Sequence, residues 1–339
     1  GHEVMIYKGI DPSEKEEKVQ VEKNLTIWYL PMKHLGAHGF MDCKYLDPQL
    51  KALFCFGDQQ IFLPHVYRWC RRRRIPFVAY VGTAHSLDSN FKSKVMNALF
   101  AAGTLRIYKK NPVLAKTSAA KEELRQLGVP HAVIAPVGLD TAVLKKNIPA
   151  DEKMRLRKEH GFEADDVILC NVSRLSWEKR PLELIDLFLQ VKGKKKFKLI
   201  IVGNGPLEEE LNEKIRKNGL EKEVKIYPNV PYEKMWEIYE MSDYYLNMNK
   251  GEIFGMAIME AVYYKTSVAA IRALGPSVTL KDMKGHKLCE NDDEMAEWIT
   301  GPYPSEKDLQ ESSEKMAATF TWDRCADAFL QASSEKSSR

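Results

Sequence analysis

No apolar run in this chain approaches the roughly 18–20 residues that a membrane-spanning helix needs, and the first residues lack a charged–apolar–small signal pattern. Cysteine is sparse. The six, Cys43, Cys55, Cys70, Cys170, Cys289 and Cys325, are scattered without a CxxC pair, which argues against a disulfide scaffold or a zinc site and suits a reducing compartment. There is no repeat with a period of 20–50 residues and no long low-complexity stretch. What is present is ordinary globular composition, 44% hydrophobic and 29% charged over 339 residues, which excludes a mostly disordered chain. At 38.9 kDa the length favours two domains.

The net charge of +4 hides an asymmetry. Residues 1–150 hold 22 Lys and Arg against 13 Asp and Glu, whereas the remainder holds 29 against 34. A basic first half suits an anionic surface or ligand. Arg71 to Arg74 supply four of these charges. They read first as a solvated helix end, where cations are favoured, and second as a contact for an anionic lipid surface. No nucleic-acid partner is expected.

Short apolar runs alternate with helical periodicity. Val4 to Tyr7 looks like the start of a strand, and Leu25–Leu30, Ala52–Phe56, Phe77–Val81, Leu105–Lys109 and Ala132–Pro136 read as further strands. Helical patterns cover Ile61–Arg73, Asn90–Ala101 and Ser118–Leu127. Past residue 150 the alternation resumes, with strands at Val167–Val172, Lys198–Val202, Val224–Tyr227, Tyr244–Met248 and Ser267–Ala270. The helices between are Leu182–Val191, Pro206–Lys217, Tyr232–Met241 and Phe254–Tyr263. Parallel strands need helical crossovers, so the pattern implies α/β class, two Rossmann-like doubly wound parallel-sheet domains. Lys145, Lys146, Asn147 and Pro149 interrupt the pattern, which sets the expected domains at 1–148 and 149–318. Residues 319–339 are expected to form a C-terminal helix that packs back on the first domain, with Trp322, Cys325, Phe329 and Leu330 on one face.

Four segments of the second half follow predicted strands and so lie at the carboxyl edge, where ligands bind in such sheets. Ser173 to Pro181 places Arg174 and Lys179 on one loop, a planar guanidinium fork and a compact ammonium suited to phosphate oxygens; ordinary surface ion pairs are the alternative. Gly203 and Gly205 in Val-Gly-Asn-Gly-Pro permit close backbone approach, to a ligand or within a tight turn. Lys250 to Glu260 puts Glu252 on a loop and Glu260 two turns into a helix that opens at Phe254, Gly255 and Met256. Free N–H groups there favour anions, and Glu260 can accept from two vicinal ribose hydroxyls. Gly275-Pro276-Ser277 reads as a turn near the same edge. In the first half, Val81 to Ser86 sets His85 on a loop where its imidazole suits a sugar hydroxyl, a leaving phosphate or a nearby carbonyl. Asp140 reads as a cap or hinge residue.

Together these residues resemble the retaining nucleotide-sugar glycosyltransferases of the GT-B architecture, the family-four group, over nearly the whole chain. The carriers are Glu252 and Glu260 in Glu-Ile-Phe-Gly-Met-Ala-Ile-Met-Glu, then Ser-Arg-Leu with Lys-Arg-Pro, and Val-Gly-Asn-Gly-Pro. The opening Gly-His-Glu-Val, Gly138-Leu139-Asp140 and Phe320-Thr321-Trp322-Asp323 are also similar to family members. The resemblance implies two lobes facing across a cleft. In it Arg174 and Lys179 grip the donor diphosphate, Glu260 the ribose, and Glu252 the sugar. Phe254, Gly255 and Met256 supply backbone N–H groups, Gly203 and Gly205 turn beside the nucleotide, and His85 contacts the transferred sugar. It implies a nucleotide-sugar donor with no further cofactor and no metal, and a glycan, lipid or protein acceptor. The cysteine usage and the lack of a membrane or signal segment suggest a cytoplasmic chain, and the basic first domain suggests peripheral contact with the inner face of the membrane. The family's glycine-rich loop after a first strand has no counterpart here, so either that segment precedes this sequence or the enzyme is altered. A silent GT-B-like partner and a sugar-nucleotide epimerase are the competing expectations.

Overall fold

The computed structural model describes residues 2–35, 38–58, 60–84 and 91–335. The chain divides into two compact units, Gly1–Ala135 with Asp327–Arg339, and Pro136–Ala326.

In the first unit, β1 (Val4–Ile10), β2 (Glu17–Glu22) and β3 (Leu25–Pro31) form one sheet in the order β1-β3-β2. β3 runs parallel to β1 and antiparallel to β2, as the two-residue link Lys23-Asn24 requires, since only antiparallel neighbours are joined so tightly. β4 (Lys33–Leu35) and β5 (His38–Phe40) pair by themselves. A second sheet, all parallel and in chain order, contains β6 (Leu53–Phe56), β7 (Phe77–Val81), β8 (Val113–Ala115) and β9 (Val133–Ile134). Its helices are α1 (Leu63–Arg73), α2 (Phe91–Ala102), α3 (Thr104–Tyr108) and α4 (Ser118–Gln126). Strand alternation sends Phe77, Ala79 and Val81 into one core with Cys70 and Leu124. The opposite parity carries Phe54, whose ring meets Phe329 at 4.7 Å.

One expected strand is corrected. Leu105–Lys109 lies in α3 and its lysine cap, and the strand of that region is β8. Thr104, Leu105, Ile107 and Tyr108 are all buried while Arg106 is exposed, a helical spacing that strand alternation cannot produce. Arg71, Arg72 and Arg73 occupy the last turn of α1, with Arg74 left-handed after it (φ = 59°). All four are exposed, and Arg73 rests on the Trp69 ring.

The second unit contains α5 (Glu152–Glu159), β10 (Val167–Val172), α6 (Pro181–Val191), β11 (Phe197–Val202) and α7 (Glu208–Lys217). Next come β12 (Val224–Tyr227), α8 (Met235–Met241), β13 (Tyr244–Asn247), α9 (Met256–Tyr263) and β14 (Ser267–Ile271). It closes with α10 (Leu274–Thr279), β15 (Lys287–Cys289), α11 (Asp292–Thr300), α12 (Glu306–Thr319) and the start of α13 (Trp322–Glu335). The sheet is parallel throughout, in the order β12-β11-β10-β13-β14-β15. Successive β10 residues go to opposite cores. Ile168 and Cys170 pack with Tyr239, Ile258 and Val262, whereas Leu169 packs with Ile185, Phe188, Leu211 and Ile299. Helices therefore cover both faces, and the direction in which successive strands are added reverses between β10 and β13. That switch point leaves a crevice at the strands' carboxyl ends.

The boundary expected after residue 148 falls at Ala135–Pro136. Leu139 and Leu144 are buried in the second unit's core, Leu139 donates to the Phe320 carbonyl at 3.0 Å, and the Lys145 N–H donates to the Tyr264 hydroxyl at 3.0 Å. Gly138 lies so close to the start of α13 that a Cβ there would sit 2.0 Å from the Trp322 nitrogen. Asp140 turns the chain by accepting from the Ala142 N–H. Gly275-Pro276-Ser277, expected as a turn, lies inside α10.

Candidate active site

The loop after β10 and the loop after β13 meet at the switch point. Lys179 Nζ donates to Glu252 Oε2 at 2.9 Å, and Asn249 Nδ2 donates to the same oxygen at 3.1 Å. Both ion-pair partners are largely buried, the side chains 20% and 16% exposed. Burial by itself pushes the Glu252 carboxyl up, yet the Lys179 hydrogen bond and charge, with Asn249 and Asn247, hold it below the ordinary carboxylate value. Glu252 is therefore ionised at neutral pH.

The loop that carries Lys179 is fixed at both ends. Arg180 is left-handed (φ = 56°) ahead of Pro181, the first residue of α6, and its guanidinium grips Asp292 at 3.0 and 2.7 Å. At the other end, Gly203 and Gly205 take φ of 141° and 155°, and a Cβ on them would lie 1.9 Å from the Ser173 carbonyl oxygen and 2.5 Å from that of Leu175. Leu175 donates to the Asn204 carbonyl at 2.8 Å and accepts from Leu207 at 3.0 Å. These two glycines thus clasp the Ser173–Leu175 loop.

Among the described residues Arg174 and Lys179 share no hydrogen-bond partner, although both cations stabilise the charge of Glu178. Arg174 is 77% exposed and pairs with Glu178 at 3.0 Å, which also accepts from the Ser176 hydroxyl at 2.7 Å. The sequence carries no signal for Glu178 or Asn249, each a lone polar residue in a polar loop.

Gly255, left-handed (φ = 87°), precedes α9. Met256 begins the helix half-exposed, while the Phe254 side chain is buried 6.0 Å from the Phe320 ring. Phe254 is thus a packing residue whose backbone borders the site. Gly275 supports that backbone: its N–H donates to the Glu252 carbonyl at 2.8 Å, and a Cβ would lie 2.5 Å from the Phe254 nitrogen.

Glu260 is 8% exposed and faces α8. The Tyr239 hydroxyl donates to its Oε2 at 2.7 Å, and Tyr232, Lys145, Trp236 and Tyr264 line the small cavity beside it. Burial raises the carboxyl above its ordinary value, against the lowering bonds from Tyr239 and Tyr232. Glu252 and Glu260 are thus set apart in charge behaviour by their surroundings. His85 lies outside the described residues.

Such an edge, with a buried ion pair at the switch point of a doubly wound sheet, defines a Rossmann-like ligand-binding unit. Residues 152–315, just under half of the chain, match the family model described as glycosyl transferases group 1. Among curated relatives, it is 26% identical over 297 residues to a D-inositol 3-phosphate glycosyltransferase of Mycobacterium avium (strain 104), covering 77% of this chain and 65% of the relative. The chain thus spans about two thirds of that relative's length. It is 20% identical over 284 residues to the alpha-monoglucosyldiacylglycerol synthase of Acholeplasma laidlawii, covering 77% and 70%. Among solved structures, sucrose-phosphate synthase from Thermosynechococcus elongatus superposes with a TM-score of 0.71 at 15% identity, covering 97% of this chain and 88% of that one. Anabaena Alr3699/HepE in complex with UDP gives 0.66 at 19%, covering 82% and 76%. These likenesses show the GT-B fold with its two Rossmann-like units.

Proposed function

We propose that this chain is a retaining glycosyltransferase that moves a hexosyl unit from a nucleoside-diphosphate sugar to a hydroxyl of a glycan, lipid-linked or protein acceptor, forming an α-linkage. The observation that carries this reading is the Lys179–Glu252 pair at the switch point, just ahead of the α9 N-terminus and eight residues from Glu260. UDP is the first nucleotide to test, because the Anabaena neighbour was solved with it. Inositol 3-phosphate and diacylglycerol head the acceptors to test, from the names of the relatives.

Without donor, the buried charges of Lys179 and Glu252 satisfy one another. A bound diphosphate takes over the Lys179 ammonium, and Arg174 leaves Glu178 to add a fork of donors. Glu252, released, accepts from the hydroxyls of the sugar. Glu260 accepts from the ribose. As the anomeric carbon–oxygen bond breaks, its electron pair leaves with the phosphate oxygen. The acceptor oxygen bonds to the same face of that carbon, and its proton passes to the departing phosphate. The two cations and the N–H groups of Phe254, Gly255 and Met256 stabilise the growing negative charge where it forms. This assigns no step to a metal or a cofactor, and His85 is reserved for contact with the transferred sugar. Exposed Arg71 to Arg74 support peripheral contact with an anionic membrane.

The test is incubation of the chain with UDP-sugars and these acceptors, with and without EDTA, and mass analysis of products. Product whose yield is unchanged by Glu260→Ala and Arg174→Ala overturns the residue roles, and loss in EDTA overturns the metal-free step. Failure to bind UDP by calorimetry favours the silent partner, and donor conversion without acceptor the epimerase. Equal flotation on neutral and anionic liposomes removes the membrane contact.

A further inference from the structure

The carboxyl ends of β6, β7 and β8 in the first unit carry a second charged cluster that nothing in the donor reading uses. Gly57-Asp58, Gly82 and Lys116 follow those three strands directly. Asp58 Oδ1 accepts from the Gly82 N–H at 2.6 Å, and Lys116 Nζ lies 3.3 Å from each Asp58 oxygen. The Tyr108 hydroxyl donates to the Asp58 carbonyl at 3.0 Å. Glycine makes room on both sides. A Cβ on Gly57 would sit 2.3 Å from the Tyr108 hydroxyl, and one on Gly82 would sit 3.0 Å from the Lys116 side chain.

Lys116 is largely buried, its side chain 16% exposed against 40% for Asp58. Its ammonium stands 5.6 Å from the Phe56 ring centroid and 5.3 Å from that of Tyr80. Phe56 is braced edge-on by Phe54 and Tyr80, yet remains 60% exposed at the end of its strand. A rigid, open aromatic surface thus borders a carboxylate and an ammonium.

We propose that Phe56, Asp58 and Lys116 form a subsite for a neutral, hydroxyl-rich group, a pyranose ring or cyclic polyol, carried by the acceptor. Three observations favour that chemistry. The electron-rich face of an aromatic ring attracts the weakly positive C–H bonds of a sugar face. Each sugar hydroxyl both donates and accepts, so it is matched by an acceptor-only carboxylate beside a donor-only ammonium. The 3.3 Å contacts are longer than the 2.7–2.9 Å of a close charge-assisted bond, so both groups retain capacity for a further partner. A phosphate is the poorer match, because Asp58 already neutralises Lys116. Assigning the group to the acceptor rests on the glycosyltransferase reading, while the subsite itself stands on the first unit alone.

Saturation-transfer NMR on the full chain, with methyl α-D-glucopyranoside, myo-inositol and inorganic phosphate as probes, tests the subsite, with UDP calorimetry run alongside. Both hydroxylated probes should receive saturation, strongest at the ring protons of one face. The signal should fall several-fold in Phe56→Ala and in Lys116→Met, with UDP binding unchanged. Asp58→Asn keeps an oxygen for the Gly82 N–H, so its folding is preserved and its loss of signal reports the charge. Signals that persist in all three variants, or that phosphate displaces, overturn the subsite. Absence of saturation while UDP still binds overturns it without touching the donor reading. Saturation without UDP binding overturns the donor reading and leaves the subsite standing.

Discussion

Lys179 and Glu252 are 73 residues apart in sequence and 2.9 Å apart in space, joining the two loops that flank the switch in strand order between β10 and β13. Removing the cation alone strands a buried carboxylate. Lys179→Met is therefore expected to cost about 2 kcal/mol, below the 3–5 kcal/mol of a fully buried pair because both side chains keep some solvent contact. The double variant Lys179→Met, Glu252→Gln should recover most of that loss. Turnover should drop about 10²-fold or more in either single variant. The Glu252 carboxyl is depressed in the fold, so its stabilisation is present above its ordinary value of 4.5 and is lost as pH falls below it. Denaturation midpoints of the three variants check the coupling, and equal midpoints for Lys179→Met and the double variant count against it.

Glu260 titrates in the opposite direction. Its carboxyl is raised by burial, so it takes up a proton at a higher pH than an exposed glutamate. The ionised form is acceptor-only and can take hydroxyl donors beside Tyr239, whereas the protonated form gives up one acceptor position to its own O–H. UDP affinity should therefore be full above the raised value and decline as pH falls through it, beginning above 4.5. Tyr239→Phe removes a hydrogen bond that lowers the value, so the midpoint should move further up. Calorimetric titration of UDP against pH reads the midpoint directly, and an unmoved midpoint in Tyr239→Phe contradicts the assignment.

Much of the second unit was legible because its signals are local. Its strands are continuous apolar runs buried on both faces, as at Ile168–Cys170 and Leu199–Ile201, and its motif residues follow those strands directly. What escaped depends on distance or on mixed polarity. β2 reads Glu-Lys-Val-Gln-Val-Glu and is exposed along its length, so it carries no core pattern. β8 has only three residues, too few for a period to show, whereas the apolar α3 beside it has the composition of a strand. The loop chemistry was visible as residue types, but not the pairing. Nothing near Arg174 announces that Glu178 holds it, nor that Lys179 reaches Glu252.

Gly203 and Gly205 should prove intolerant of any side chain. The left-handed backbone and the overlap with the Ser173 and Leu175 carbonyls reinforce one another. Gly203→Ala is expected to cost about 2 kcal/mol or more and to displace the Ser173–Leu175 loop, weakening UDP binding at the same time. Gly193 provides the contrast: it is also left-handed (φ = 82°), but a Cβ there meets nothing within 4 Å. Gly193→Ala should therefore carry backbone strain alone, with UDP affinity intact. Paired melting and binding measurements separate the two, and equal losses of affinity would contradict the role of Gly203.

His286 makes the fold acid-sensitive. Its Nδ1 accepts from the Val268 N–H at 3.0 Å, while its buried Nε2 has no hydrogen-bond partner among the described residues. Burial pushes the imidazole down from 6.5 to about 4. Between those values the unfolded chain binds a proton that the folded chain refuses, so stability rises with pH across this window and is lost as pH falls through it. The full difference corresponds to about 3 kcal/mol. In His286→Asn, the amide oxygen can still accept from Val268 but carries no titrating group. Urea denaturation from pH 4 to pH 7 should then show a distinctly shallower slope than the wild-type chain. Identical slopes would place the acid sensitivity elsewhere.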